Sequence, residues 1–246
     1  LAARLASLLL LIALWQAASL YAQPRLLPSP LSVLEAMRAA TVTGELPFAL
    51  AVTIGRVVAA FVLAMALGSA LGYAMGRRPA FDRWIDAPIV ILLNLPALVI
   101  IVLAYIWIGL NEAAAIGAVA LNKLPNAVVT LREGARTLDV GLDEMTAVFG
   151  FSAWKRMRHV VLPQLAPFFA AATRSGLSLV WKIVLVVELI GRPNGVGFEI
   201  GTAFQLFDVA TLMAYALPFT FIMLLVESFL VQPFERHVSR WRPRAA

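Results

Sequence analysis

The sequence predicts an all-α polytopic membrane protein of about six transmembrane helices, and three observations carry that prediction. Of the 246 residues, 61% are hydrophobic and 14% charged, against roughly a quarter charged in soluble proteins; mean hydropathy is +0.87. The apolar residues gather into about six runs long enough to cross a bilayer, separated by turn and charge signals. The basic residues fall almost wholly on alternate connections between those runs. Six spans of ~20 residues with their connections leave no room for a second sizeable soluble domain, so residues 1–246 are expected to form one transmembrane domain. There is no cysteine, which excludes disulfides and thiolate metal sites.

The first run, Leu5–Tyr21, follows Arg4 and precedes Ser19-Leu-Tyr-Ala22. That pattern also fits a signal peptide, but an uncleaved span suits a multi-span chain better. Pro24, Pro28 and Pro30 then mark an external loop at about 23–46 with a short surface helix over Leu31–Ala40. The second run, Phe48–Ala74, carries Ala64, Gly68, Gly72 and Gly76 at four-residue spacing. Small residues on one helix face predict close packing against a neighbour, with a gate hinge as the alternative. The third and fourth runs, Ile85–Ile108 and Ala113–Leu131, contain Pro88, Pro96 and Pro125. Prolines there are expected to kink the helices, either structurally or along a pathway. The last two runs are Phe168–Ile190 and Leu212–Val231.

With a cytoplasmic N-terminus, the inner connections hold Arg77, Arg78, Arg83, Arg132, Arg136, Lys155, Arg156, Arg158, Arg236, Arg240, Arg242 and Arg244, and the outer ones only Arg25, Arg38 and Arg192. This is the positive-inside pattern, so both termini and the connection at about 132–166 are expected in the cytoplasm. The pI of about 10.3 then reflects topology and attraction to anionic lipid rather than nucleic-acid binding. His159 and His237 are isolated from other potential ligands, so no metal site is expected.

The 132–166 connection reads as two short helices around a sharp turn. Asp139 caps the first, Asp143 and Glu144 sit near its N-terminal end, and Gly150 ends it in a left-handed conformation. Ser152 caps a second helix bearing Trp154, Lys155, Arg156 and Arg158, and Pro163 is expected to break the pattern before the fifth run. Phe149, Phe151 and Trp154 near the bend suit insertion into a groove on a partner. An amphipathic segment lying on the lipid surface is the competing reading.

The spacing of Glu144, Gly150 and Val160-Val-Leu-Pro163 resembles the signature cytoplasmic loop of the permeases of ABC importers. The resemblance extends through Leu27-Pro-Ser-Pro30, Thr53-Ile-Gly-Arg56, Gly72-Tyr-Ala-Met-Gly76, Asp86-Ala-Pro88, Asn94-Leu-Pro96, Trp107-Ile-Gly109 and Arg136-Thr-Leu-Asp139 to Val187-Glu188, Gly195-Val-Gly197 and Glu235-Arg236 with Trp241. Their order is similar to the nitrate/sulfonate/taurine branch of type I importers. The resemblance implies the type I permease fold in a bacterial inner membrane and a homodimer working with two ABC ATPase subunits. It also implies an external substrate-binding protein that delivers cargo. Coupling to the ATPase would fall to Glu144, Phe149, Gly150, Phe151, Trp154, Lys155, Arg156, Arg158 and Pro163. Met145 and Thr146 stand where the family usually has two alanines, which suggests a dedicated ATPase partner.

No glycine is followed by lysine, so the chain lacks a phosphate-binding P-loop. No cofactor is expected on this chain, and ATP with Mg²⁺ would be used by the partner. No catalytic constellation stands out, so an enzyme is not expected. A secondary transporter or a channel remains the rival class, without the internal repeat or filter motif each would favour. Arg56, Lys123, Arg174, Lys182 and Glu188 lie at or near membrane depth and must face protein or water. Internal pairing, for example Arg56 with Glu188 and snorkelling of Arg174 and Lys182, is one reading. The other is a translocation pathway lined by Arg56, Asn94, Pro96, Lys123, Lys182 and Glu188 for a small anionic cargo.

Overall fold

A computed structural model describes residues 2–23 and 26–238. Pro24, Arg25, Arg240, Trp241, Arg242 and Arg244 lie outside the described residues, as do the side chains of Arg4 and His237. The described elements are helical: α1 Ala2–Tyr21, α2 Pro30–Val42, α3 Glu45–Arg77, α4 Pro79–Asn94, α5 Ala97–Ile108, α6 Glu112–Arg136, α7 Val140–Val148, α8 Ala153–Arg156, α9 Leu162–Gly191, α10 Val196–Gln205, α11 Val209–Val226 and α12 Gln232–Val238. π turns over Met157–Val161 and Glu227–Val231 join α8 to α9 and α11 to α12. Residue contacts divide the chain into two compact units, Leu1–Arg56 with Val184–Leu224, and Val57–Ile183 with Leu225–Ala246.

All six expected spans have a helical counterpart, with two differences. Among the described residues, four helices are long and apolar enough to cross a membrane: Glu45–Arg77, Glu112–Arg136, Ala153–Gly191 and Val209–Arg236. The third expected span, Ile85–Ile108, is not one helix. It breaks between α4 and α5 with a bend of 102°, because Pro96 has no amide donor and forces Leu95 out of the helical region (ψ 128°). Pro88 and Pro125, by contrast, lie inside continuous helices. The surface helix is present as α2, with Ser29 accepting the Ser32 amide at 3.2 Å as its cap.

Pro163 does not break the chain as expected. It is the second residue of α9, and α8, the π turn and α9 run as one helix from Ala153 to Gly191. In the π turn the Leu162 amide reaches back to the Met157 carbonyl. The widened ring absorbs the register change where Pro163 would otherwise leave an α-helical carbonyl unpaired and sterically crowded. The same device recurs at Glu227–Val231, where the Gln232 amide bonds the Glu227 carbonyl and Pro233, the next residue, would otherwise interrupt the α ladder.

Within the second unit the small residues of α3 lie against α6. A Cβ at Gly68 would fall 2.6 Å from the Cβ of Ala127, one at Gly72 2.5 Å from the Val128 carbonyl, and one at Gly76 2.6 Å from the Arg132 carbonyl. Helix packing rather than a hinge accounts for the stripe, since the two backbones touch along three turns. Met65, Leu131, Leu138, Val161 and Leu165 continue this seam as a buried core toward the loop. Gly72→Ala should therefore lower the thermal unfolding midpoint of the purified permease in detergent, with a cost of about 1–3 kcal/mol for overpacking. Gly55→Ala, where a Cβ meets nothing within 4 Å, should leave the midpoint unchanged or slightly raised.

Candidate functional site: the loop hairpin and the buried charges

The loop hairpin is built by local capping. The Asp139 Oδ1 accepts the amides of Gly141 at 2.7 Å and Leu142 at 3.2 Å, starting α7. At its other end the Phe151 amide bonds the Thr146 carbonyl at 2.9 Å and the Gly150 amide that of Ala147 at 3.2 Å. This Schellman pair requires a left-handed residue between them, and Gly150 takes φ +61°. Ser152 then accepts the Lys155 amide at 3.3 Å and opens α8.

Asp143 pins the hairpin. Its carboxylate accepts a two-pronged contact from Arg156, Nε to Oδ1 at 3.0 Å and Nη2 to Oδ2 at 2.9 Å, and a further ion pair from Arg77 at the end of α3. Hydrogen bonding from Arg156, reinforced by the charge of Arg77, holds the Asp143 carboxyl below the usual carboxylate range. An adjacent lattice joins α4 to α6: Arg136 pairs with Asp82 at 2.6 Å, and Arg132 with Asp82 at 3.3 Å and with Asp86.

Arg156 is thus engaged within the chain, whereas Glu144, Lys155 and Arg158 are exposed. Phe149 and Trp154 project from the bend at 71% and 70% exposure. Phe151 is half-buried with the Lys155 amine 4.2 Å above its ring. Pro163 lies beyond the bend, inside α9.

Among the residues expected on the pathway, Arg56 and Glu188 are brought together in the first unit. Arg56 donates to Glu188 Oε1 at 2.7 Å, to the Asn194 carbonyl at 2.8 Å and to its Oδ1 at 2.5 Å. Glu188 Oε2 also accepts from Thr53 at 2.9 Å and from the Gly197 amide at 2.8 Å. The N-terminus of α10, a favourable place for negative charge, points at this carboxylate. Gly195, at φ +107°, has no room for a side chain: a Cβ would lie 2.5 Å from the carboxylate.

In the second unit, Asn94 ends α4, exposed and bonded to its own Val90 carbonyl at 2.8 Å, and exposed Pro96 caps α5. Lys123 is buried with a partner in Asn126. Lys182 is exposed. Arg174 is ion-paired to Glu235 at 2.9 Å. Sequence reasoning missed the clamping role of Asp143 and the parts played by Arg77, Asn194 and Asn126. The first two sit beside capping and basic signals that were read separately. Lys123 and Asn126 carry the i,i+3 spacing that places two side chains on one face.

Arg56→Met should destabilise the permease by roughly 3–5 kcal/mol by leaving Glu188 buried without its counter-charge. The double change Arg56→Met with Glu188→Met should recover most of that loss in the same detergent melts. Asp143→Asn should raise amide exchange across 140–158 by weakening the clamp by about 1 kcal/mol, the scale of partly exposed pairs. In the unaltered protein the clamp should be intact above the ordinary carboxylate range. It should be lost only as pH falls through the depressed Asp143 value, which the same exchange measurement against pH would follow.

Residues 64–241 match the family described as binding-protein-dependent transport system inner membrane component. The putative aliphatic sulfonates transport permease SsuC of Escherichia coli (strain K12) is 33% identical over 95% of this chain and 89% of its own length. The taurine transport permease TauC of the same strain is 26% identical over 94% of this chain and 86% of its own length. A chain of the inward-facing MetNI methionine ABC transporter shares the fold, with TM-score 0.63 and 17% identity, over 76% of this chain and 92% of that one. Charges buried among apolar spans, a capped loop hairpin and these matches lead to one conclusion: the chain belongs to the binding-protein-dependent inner-membrane transport family, as an ABC importer permease.

Proposed function

We propose that this permease forms the translocation pathway for a small anionic solute, of the sulfonate or taurine kind, and that its loop hairpin receives the motion of two separate ABC ATPase subunits. A second copy of the chain completes the pathway and an external binding protein delivers the cargo. The hairpin and both termini face the cytoplasm, on the side favoured by the basic residues. The chain itself binds no nucleotide, ATP and Mg²⁺ being used by the ATPase.

The observation that carries this reading is the construction of the bend. A full capping turn and a three-residue ion clamp hold Phe149 and Trp154 outward, which is the form of an anchor shaped for a groove. A segment that only rests on lipid has less need of a fixed turn. The similarity to permeases named for sulfonate and taurine supports the cargo class.

Gly150→Val puts a β-branched residue into the left-handed conformation, at a cost of order 1–2 kcal/mol, and Glu144→Lys reverses an exposed charge near the start of α7. Each should leave the permease inserted at normal levels, while uptake falls about tenfold or more, the loss expected from ~1.4 kcal/mol or above. ATPase copurification or transport-linked hydrolysis should fall with it. Full uptake with normal ATPase association in both variants would move the docking surface elsewhere. Loss of lipid contact at the bend with ATPase association unchanged would favour the lipid-facing reading of Phe149 and Trp154.

A further inference from the structure

Lys123 lies in the interior of α6 with 1% of its surface exposed. A charged group at membrane depth costs at least ~2.5–3.5 kcal/mol on insertion scales, so it is kept where it has a partner or a task. Arg56 has its carboxylate in Glu188. Lys123 has none among the described residues: its amine donates to the amide oxygen of Asn126 at 2.5 Å, one acceptor for a group with three donors.

The surroundings are fitted to this amine. A Cβ on Gly176 of α9 would overlap the lysine Cε and Nζ, so the glycine gives the ammonium its place against the α9 backbone. The Asn126 oxygen also receives the Ser175 hydroxyl at 3.3 Å. With two donors converging on its oxygen, the amide presents its NH₂ group away from the lysine. Asn126 is half-buried and Ser175 exposed, so they form the open rim of a site whose charge is recessed. The serine contacts are long, 3.3 Å to Asn126 and 3.4 Å to the Ala172 carbonyl, and are easily exchanged for a better acceptor. Three residues before Gly176, the Thr173 hydroxyl is buried without a hydrogen-bond partner among the described residues.

We propose that Lys123, Asn126 and Ser175 form an oxyanion-binding station at membrane depth that takes the sulfonate, or chemically similar, head group of the cargo in transit. The inference rests on the reading of the chain as an importer of small anions. Neutral donors at the rim supply orientation, and the recessed ammonium supplies attraction through low-dielectric walls. No donor pair at the rim clamps the anion bidentately, as an arginine would. Binding at such a station is favourable enough to admit an anion and loose enough to release it.

The chain has no cysteine, so Ser175→Cys is the single thiol on this chain, read by mass on the isolated permease after labelling in membranes containing the whole transporter. Its rates of modification by the anionic reagent sulfonatoethyl methanethiosulfonate and by its cationic trimethylammonioethyl analogue are compared after normalising each to a free thiol. The anionic reagent should be favoured on the order of tenfold, and excess ethanesulfonate should slow it. The preference should vanish when Lys123→Gln is added. It should also vanish with Asn126→Asp, which retains the lysine and gives it an internal counter-charge. Absence of reaction with either reagent, a preference indifferent to both changes, or lack of protection by ethanesulfonate would each overturn the station. Uptake of radiolabelled ethanesulfonate by the unaltered transporter is measured in parallel. Uptake without protection removes the station alone, and protection without uptake removes sulfonate import while the station stands.

Discussion

A charge withdrawn from water is costly unless paired, and the Arg56–Glu188 pair shows how far the surrounding chain is arranged to pair one. Thr53 and Arg56 approach Glu188 one turn apart from α3, Asn194 holds the guanidinium from the connection after α9, and α10 begins with its amides directed at the carboxylate. The Val196 amide adds a bond to the Thr53 hydroxyl at 2.8 Å, so the hydroxyl is both donor and acceptor. Removing one member exposes the others to the cost of an unpaired buried group. The short motifs Thr53-Ile-Gly-Arg56 and Gly195-Val-Gly197 are therefore parts of a single electrostatic object.

The loop hairpin follows a different rule. Its shape is fixed by caps and by a left-handed glycine, each needing only its immediate neighbours, and its attachment is fixed by ions. Asp143 draws Arg77 and Arg156 to one carboxylate, while Arg132 and Arg136 converge on Asp82 nearby. At the bend itself Phe149 and Trp154 lie outside, while Leu138, Val161 and Leu165 stay buried behind it. Exposed aromatics held on a fixed turn leave apolar area for a partner or for lipid to cover.

Local chemistry explains which features were legible in the sequence. Asp139, Gly150 and Ser152 declare their roles within three residues of themselves, and the spacing of Gly68, Gly72 and Gly76 declares a packing face. Hydropathy locates the apolar segments, though not the break that divides the third into α4 and α5. The Arg56–Glu188 pair, 132 residues apart, was legible because few charges lie at membrane depth and opposite signs are fewer still. The Ser175–Asn126 contact was not, since 49 residues separate two polar side chains of kinds that occur on many helix faces. Pro163 does not break its helix as expected, whereas Pro96 bends its span as expected but so far that two helices result. A proline's effect depends on whether the preceding backbone can change its hydrogen-bond register, as Met157–Val161 does, or must leave the helix, as Leu95 does.

The π turns at Met157–Val161 and Glu227–Val231 have a consequence for angular phase. A π turn accommodates one more residue than the α-helix around it, so side chains before and after it are offset by roughly the 100° that one residue occupies on a 3.6-residue turn. A helical wheel drawn straight through Ala153–Gly191 therefore assigns Trp154 and Lys155 to the wrong side relative to Leu165 and Ala172. The aim of the bend around the helix axis is set by a single surplus residue, which makes length, more than composition, the property of 157–161 that decides where Trp154 points.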